Sequence, residues 1–154
     1  MEPREYQGLD ATDLAELVAR KEVTPATLLS LARARRDAVN PMLNAVVADL
    51  DEPADVRAAD PELAGPFAGV PFLIKDLGQE YAGYPTSNGS RALADDVAEE
   101  HALVTHRFLD AGLLIFGKTN TPEFGAKGVT EPELWGAAHN PWNLGHTPGG
   151  SSGG

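Results

Sequence analysis

Gly69-Val70-Pro71-Phe72-Leu73-Ile74-Lys75-Asp76 is a short apolar run that ends on a charge. Read as an extended strand, Val70 to Ile74 is apolar on both faces, which places it centrally in a sheet covered by helices. Leu113-Leu114-Ile115-Phe116 repeats the pattern. Around these two runs the apolar residues follow a helical period. Asp10 to Arg20 carries Leu14, Leu17 and Val18 with Asp10 as a cap. Thr24 caps a second helix with Pro25 at its first position, and Leu28, Leu31, Ala32, Arg35 and Val39 trace one face. Asn40-Pro41 is expected to end it. Asn44 to Ala48 reads as a strand and Asp55 to Leu63 as a helix. His101 to Ala111 reads as another helix, with Val104, Phe108 and Ala111 inward and Gly112 as its stop. Alternating helices and doubly apolar strands give an α/β sheet. Helices dominate residues 10–40, and the sheet and its loops occupy 43–154.

Composition narrows the function classes. The 154 residues carry 23 acids against 12 bases, a net charge of −11. Nucleic-acid binding needs a basic footprint and anionic membrane surfaces attract basic ones, so neither partner is expected. The absence of cysteine removes thiol nucleophiles, disulfides and iron–sulfur clusters together. No stretch approaches the roughly 20 apolar residues of a membrane span, and Met1-Glu2-Pro3-Arg4-Glu5 has no signal-peptide character. The expected address is cytoplasmic.

Regular structure thins out after Gly117, and half of the 16 glycines fall in residues 125–154. So long a coil in a compact domain is either functional or disordered. One stretch misleads. Gly112-Leu113-Leu114-Ile115-Phe116-Gly117-Lys118-Thr119 matches the phosphate-loop pattern G-x-x-x-x-G-K-[ST] letter for letter. Its four central residues are those of a buried strand rather than of a loop wrapping phosphate, and Asn120-Thr121-Pro122 follows where a helix should start. Lys118 is therefore expected at a strand end in structural hydrogen bonds.

Two segments carry chemistry. Lys75 ends a strand, where α/β folds build their sites, and partial withdrawal from water lowers a lysine's pKa until it can act as a base. The alternative is a lysine that snorkels to solvent. Strand alternation sends Asp76 to the opposite side, so it need not neutralise Lys75. Far downstream, Gly149-Gly150-Ser151-Ser152-Gly153-Gly154 sets two hydroxyls in a turn that can approach other backbone closely, unless it is a flexible linker. His101, His106, His139 and His146 lack any metal-binding spacing. Trp135 and Trp142 either line a cleft or pin an irregular segment. Asp95 to Glu100 suits the N-terminal end of the following helix.

Taken in order, Gly69 to Asp76, Gly117-Lys118-Thr119-Asn120-Thr121-Pro122-Glu123-Phe124, Trp135-Gly136, Asn140-Pro141-Trp142-Asn143 and Pro148 to Gly154 resemble the amidase signature family of serine amide hydrolases. The resemblance runs from about Asp10 to the last residue. It implies a mixed central sheet covered by helices on both faces, and a Ser–cis-Ser–Lys triad. Lys75 matches the catalytic lysine. Ser151 matches the bridging serine, whose preceding peptide bond is cis, with Gly150 relieving a crowded turn. Gly125, Ala126 and Lys127 match, more loosely, a stretch that lines the acyl pocket. The family takes small-molecule amides and needs no cofactor or metal. Its nucleophilic serine and oxyanion loop lie well beyond the bridging serine, so this chain is expected to be the N-terminal portion of one amidase domain, inactive alone. Thr121-Pro122-Glu123-Phe124 looks like stand-alone amidases of the cyclic-oligoamide and aryl-amide type. The glutamine-hydrolysing component of a transfer-RNA amidotransferase is the alternative within the family, and a non-catalytic folded fragment the alternative outside it. A homodimer of the full-length protein stays open.

Overall fold

The computed structural model describes residues 1–154. After a single turn at Pro3–Tyr6 (α1), Asp10 opens Ala11–Ala19 (α2) by accepting from the Thr12 and Asp13 amides at 2.8 and 3.0 Å, while Asp13 reaches back to the Asp10 amide. Thr24 opens Pro25–Leu43 (α3) by accepting from the Thr27 amide. The helix does not stop at Asn40-Pro41 but carries Pro41 within its last turn. The Asn40 side chain explains the extension. Its Oδ1 accepts from the Ala45 and Val46 amides and its Nδ2 donates to the Val46 carbonyl, bracing the turn into the next strand. Asn44, with φ 48°, then ends the helix in the left-handed conformation that asparagine tolerates.

Val46–Asp49 (β1) leads into Asp51–Ala58 (α4), which begins four residues earlier than its expected start because Asp51 and Glu52 complement its N-terminal dipole. Pro71–Lys75 (β2), Leu103–Asp110 (α5) and Leu114–Thr119 (β3) complete the regular elements. The sheet order is β1-β3-β2. β2 runs parallel to β3, with Lys75 opposite Thr119, and β1 runs antiparallel, with Val46 opposite the same Thr119. The sheet is thus mixed. Among these 154 residues β3 lies in the middle, with the Val70–Ile74 run, expected centrally, beside it. Pro71 lacks an amide proton, and proline is at home at the first residue of a strand or on an edge. Pro71, Phe72 and Leu73 are only half-buried, whereas β3 is buried up to Lys118.

Helices cover both faces. On one, Leu29 and Ala32 of α3 and Ala54 of α4 pack on Leu114 and Phe116. On the other, Ile74 and Ile115 pack with Leu50, Phe72, Phe108 and Leu109. A third cluster, Leu14, Val23, Leu28, Val70 and Leu113, closes the end where β2 and β3 begin. The inward face of α5 is Thr105, Phe108 and Leu109, and Ala111 just past its end packs inward as expected, while Val104 points outward. Apolarity alone misjudged Val104, because Thr105, one residue on, takes the buried place. Gly112 stops α5 at φ 87°, and a Cβ there would sit 2.6 Å from the Ala68 Cα. The acidic run from Asp95 to Glu100 lies in exposed turns before Leu103 rather than in the first turn of α5. No helix is long and apolar enough to cross a membrane.

Candidate active site

The parallel pair β2–β3 fixes where chemistry can occur. Lys75 is the last residue of β2, and Thr119 opposite it leads into Asn120 and Thr121, so both segments leave the sheet at the same end. The Lys75 amide donates to Gln79 Oε1 at 2.7 Å, which fixes the backbone as it turns away. Its side chain reaches the serine turn, where Nζ lies 3.0 Å from Ser151 Oγ and 3.2 Å from Ser152 Oγ. Burial pushes the Lys75 amine below its ordinary pKa.

The serine turn is held by the segment that follows β3. Thr121 Oγ1 donates to the Ser151 carbonyl, and Thr130 Oγ1 donates to the Gly149 carbonyl at 2.8 Å. The Gly150–Ser151 peptide bond is cis. A Cβ on Gly150 would lie 2.9 Å from the Lys127 carbonyl oxygen, so glycine is what lets the turn rest on residues 127–129. Gly125 faces the same place, since a Cβ there would sit 3.6 Å from Ser151 Oγ. Lys127 meets the turn through its backbone, and its side chain, like that of Ala126, is exposed. The structure therefore brings Lys75 and Ser151 into hydrogen-bonding contact, with Gly125 beside them.

A neutral lysine has one lone pair and two N–H bonds. The lone pair can accept the Ser151 hydroxyl proton while an N–H donates to Ser152. Ser151 then becomes the acceptor for a third group's proton. This is the geometry of a base acting through a hydroxyl relay. The contact of Lys75 with Ser152 went unread in sequence, although the place of Ser152 beside Ser151 in the same turn was the available signal.

The remaining candidates fall elsewhere. Lys118 is fully buried in β3 and donates to the Pro85 carbonyl and to Thr86 Oγ1, so the phosphate-loop reading of that stretch has no loop to stand on. Asp76 points away from Lys75 as strand alternation requires, and accepts from Ser87 and Trp135. Trp135 thereby pins its segment, while Trp142 is 95% exposed and does not. His101 and His106 stack edge to face, and no cluster of three or more His, Cys, Asp or Glu residues is arranged to hold a metal.

Comparison with known proteins identifies the family. The family model for amidases matches residues 27–154. The chain is 46% identical over 147 residues to the 6-aminohexanoate-cyclic-dimer hydrolase of Paenarthrobacter ureafaciens, covering 94% of this chain and 29% of that protein. It is 42% identical over 159 residues to the acylamidase of Rhodococcus erythropolis, covering 99% and 33%. A component of the glutamyl-tRNA(Gln) amidotransferase of Deinococcus deserti is 44% identical over 150 residues, covering 94% and 30%. Among solved structures, a bacterial aryl acylamidase of the amidase signature family superposes with a TM-score of 0.87 at 33% identity, over 94% of this chain and 32% of its own. The chain thus spans about 30% of the length of the curated relatives it matches. With the family model covering most of its residues and the solved relative reproducing its fold, the chain belongs to the amidase family.

Proposed function

We propose that the natural-length protein hydrolyses a carboxylic amide to an acid and an amine or ammonia through an acyl-enzyme. Lys75 in its neutral form is the general base, and Ser151 relays the proton. The relay takes a proton from a nucleophilic serine outside these 154 residues and later returns one to the leaving nitrogen, so the lysine ends as it began. Gly125, Ala126 and Lys127 border the acyl part of the substrate, which is a small-molecule amide. No cofactor or metal enters the scheme. The 154 residues alone turn over no amide. The single observation that carries this reading is the 3.0 Å approach of the Lys75 nitrogen to Ser151 Oγ at the end of the parallel strand pair.

The test is direct. The natural-length protein is assayed against linear, aryl and cyclic-oligomer amides, with mass spectrometry of the quenched enzyme to catch the acyl adduct. Turnover that survives Lys75→Ala would remove the base from the scheme. The similarity to a component of a transfer-RNA amidotransferase favours a second reading, in which the amide is that of glutamine. Ammonia release from glutamine in preference to the other amides would select it.

A further inference from the structure

Behind Lys75, on the opposite side of the same strand end, lies a buried polar group that the hydrolytic scheme does not use. Asp76 is 2% exposed and Ser87 1%. The Asp76 carboxylate accepts from the Ser87 amide at 3.1 Å, from the Ser87 hydroxyl, and from Trp135 Nε1 at 3.1 Å. Trp135 Nε1 also lies 3.1 Å from Ser87 Oγ, which in turn accepts from the Gly89 amide at the same distance. The Asp76 amide donates to the Thr119 carbonyl, extending the parallel pairing one residue past β2. The buried Lys118 borders, with Asp76, Ser87, Tyr84 and Trp135, a cavity of about 110 Å³, and the Asp76 charge partly offsets the burial that lowers the Lys118 pKa. A carboxylate withdrawn from water this far is retained only where donors and opposite charge surround it.

We propose that Asp76, held by Ser87 and Trp135, is a positioning residue for Lys75 that sets the lysine nitrogen against Ser151. The inference rests on the amide-hydrolase reading. The reasoning is geometric. Lys75 carries a long flexible side chain, and its nitrogen must stay within hydrogen-bonding reach of one hydroxyl. Its backbone is anchored on both sides, by Gln79 at its own amide and by the Asp76 cluster at the next residue. Loosening the second anchor lets the strand end swing, and the amine moves outward. Displacement of about 1 Å by a change away from the chemistry can cost about 10²-fold in rate. Asp76 acts here by place and not as a counter-ion, because its carboxylate is turned from the lysine and occupied by other donors.

The experiment uses natural-length protein carrying Trp135→Phe, which removes the indole N–H and keeps an aromatic ring in its place, alongside Ser87→Ala. Two readouts are taken. Steady-state kinetics on the preferred amide should show kcat lowered about 10- to 100-fold, with KM little changed. Acylation of Lys75 by acetic anhydride as a function of pH, read by peptide mass spectrometry against the exposed Lys21 and Lys127, should show its midpoint moved up towards an ordinary lysine's. Unchanged kcat together with an unchanged Lys75 midpoint would overturn the proposal. So would a lower melting temperature with the Lys75 midpoint unmoved, because that is the mark of a merely structural cluster. If the unmutated protein hydrolyses no amide, the functional reading falls, and the labelling midpoint still decides the positioning role.

Discussion

Lys75 is the residue on which the site turns, and its behaviour with pH follows from its surroundings. Burial lowers its pKa from the ordinary 10.5. Only the neutral amine can take the Ser151 proton, so the hydrolytic rate should rise with pH and level off, with an inflection below that of a free lysine. Lys75→Ala should cost about 10²–10⁴-fold in kcat, the range for loss of a positioned base. A rate that shows no rise anywhere between acid pH and the ordinary lysine range would contradict the assignment. Stability carries the matching sign. Between the lowered folded pKa and 10.5 the unfolded chain binds the extra proton, so this lysine makes the protein more stable as pH climbs through that window. At this scale the sequence was informative where chemistry announces itself. A lysine closing an apolar strand and a serine pair set among glycines are visible as residue types. The partners of Asp76 were not visible, because Ser87 and Trp135 reach it from two separate loops, and no local pattern records that meeting.

Among the elements, starts were easier to read than ends. Asp10 and Thr24 announced α2 and α3 because a capping side chain acts on amides two or three residues away. The end of α3 depended on Asn40 bonding forward to β1, a contact with no local signature, and the inner face of α5 on a threonine that takes the buried place. Gly112 was legible, and it offers a clean test. Gly112→Ala would put a Cβ into the Ala68 backbone at a left-handed φ, so it should destabilise by about 1–3 kcal/mol in urea denaturation. A loss below half that range would mean the α5–β3 turn relaxes freely. The long excursion from β2 to α5 has its own sensor. The Ala82 amide donates to His101 Nδ1 at 3.0 Å, and burial together with neighbouring His106 lowers the His101 pKa. A proton on Nδ1 removes that acceptor. Stability should therefore fall as pH drops from the ordinary 6.5 through the lowered folded value, since the unfolded chain takes the proton first. His101→Gln should flatten this limb below the ordinary 6.5, and an unchanged slope would exonerate His101.

For the molecule as a whole, the α/β class was readable from two doubly apolar runs among amphipathic helices. The strand order was not, because pairing partners are chosen in three dimensions and both runs look equally central in one. What joins the helical layer to the sheet is also non-local. Arg36 of α3, its side chain only 10% exposed, bonds both Asp51 oxygens at 2.9 and 3.0 Å and lies 3.0 Å from Asp49. Arg33 adds a 2.8 Å bond to Asp51 and a 2.6 Å bond to Asp55. One acid thus ties α3 to the junction of β1 and α4. Burial alone would raise the Asp51 pKa, but hydrogen bonds and charge from Arg36 and Arg33 outweigh it and hold the carboxylate below its ordinary 3.8. Removing the charge with Asp51→Asn leaves two arginines poorly matched. Bonds between charged groups are worth about 1.5–3 kcal/mol, and the Asp51 side chain is 37% exposed, so solvent screening reduces the expected loss to about 1–2 kcal/mol. The contribution of a depressed carboxylate is complete above its unfolded pKa and disappears as pH falls through the folded one. The stability gap between the native protein and Asp51→Asn should consequently be widest near neutrality and shrink as pH falls below the ordinary 3.8 and through the lowered folded value. A gap that keeps its size across that acid range in denaturant titrations would show that Asp51 acts by shape alone, and the electrostatic tie between α3 and the β1–α4 junction would have to be abandoned.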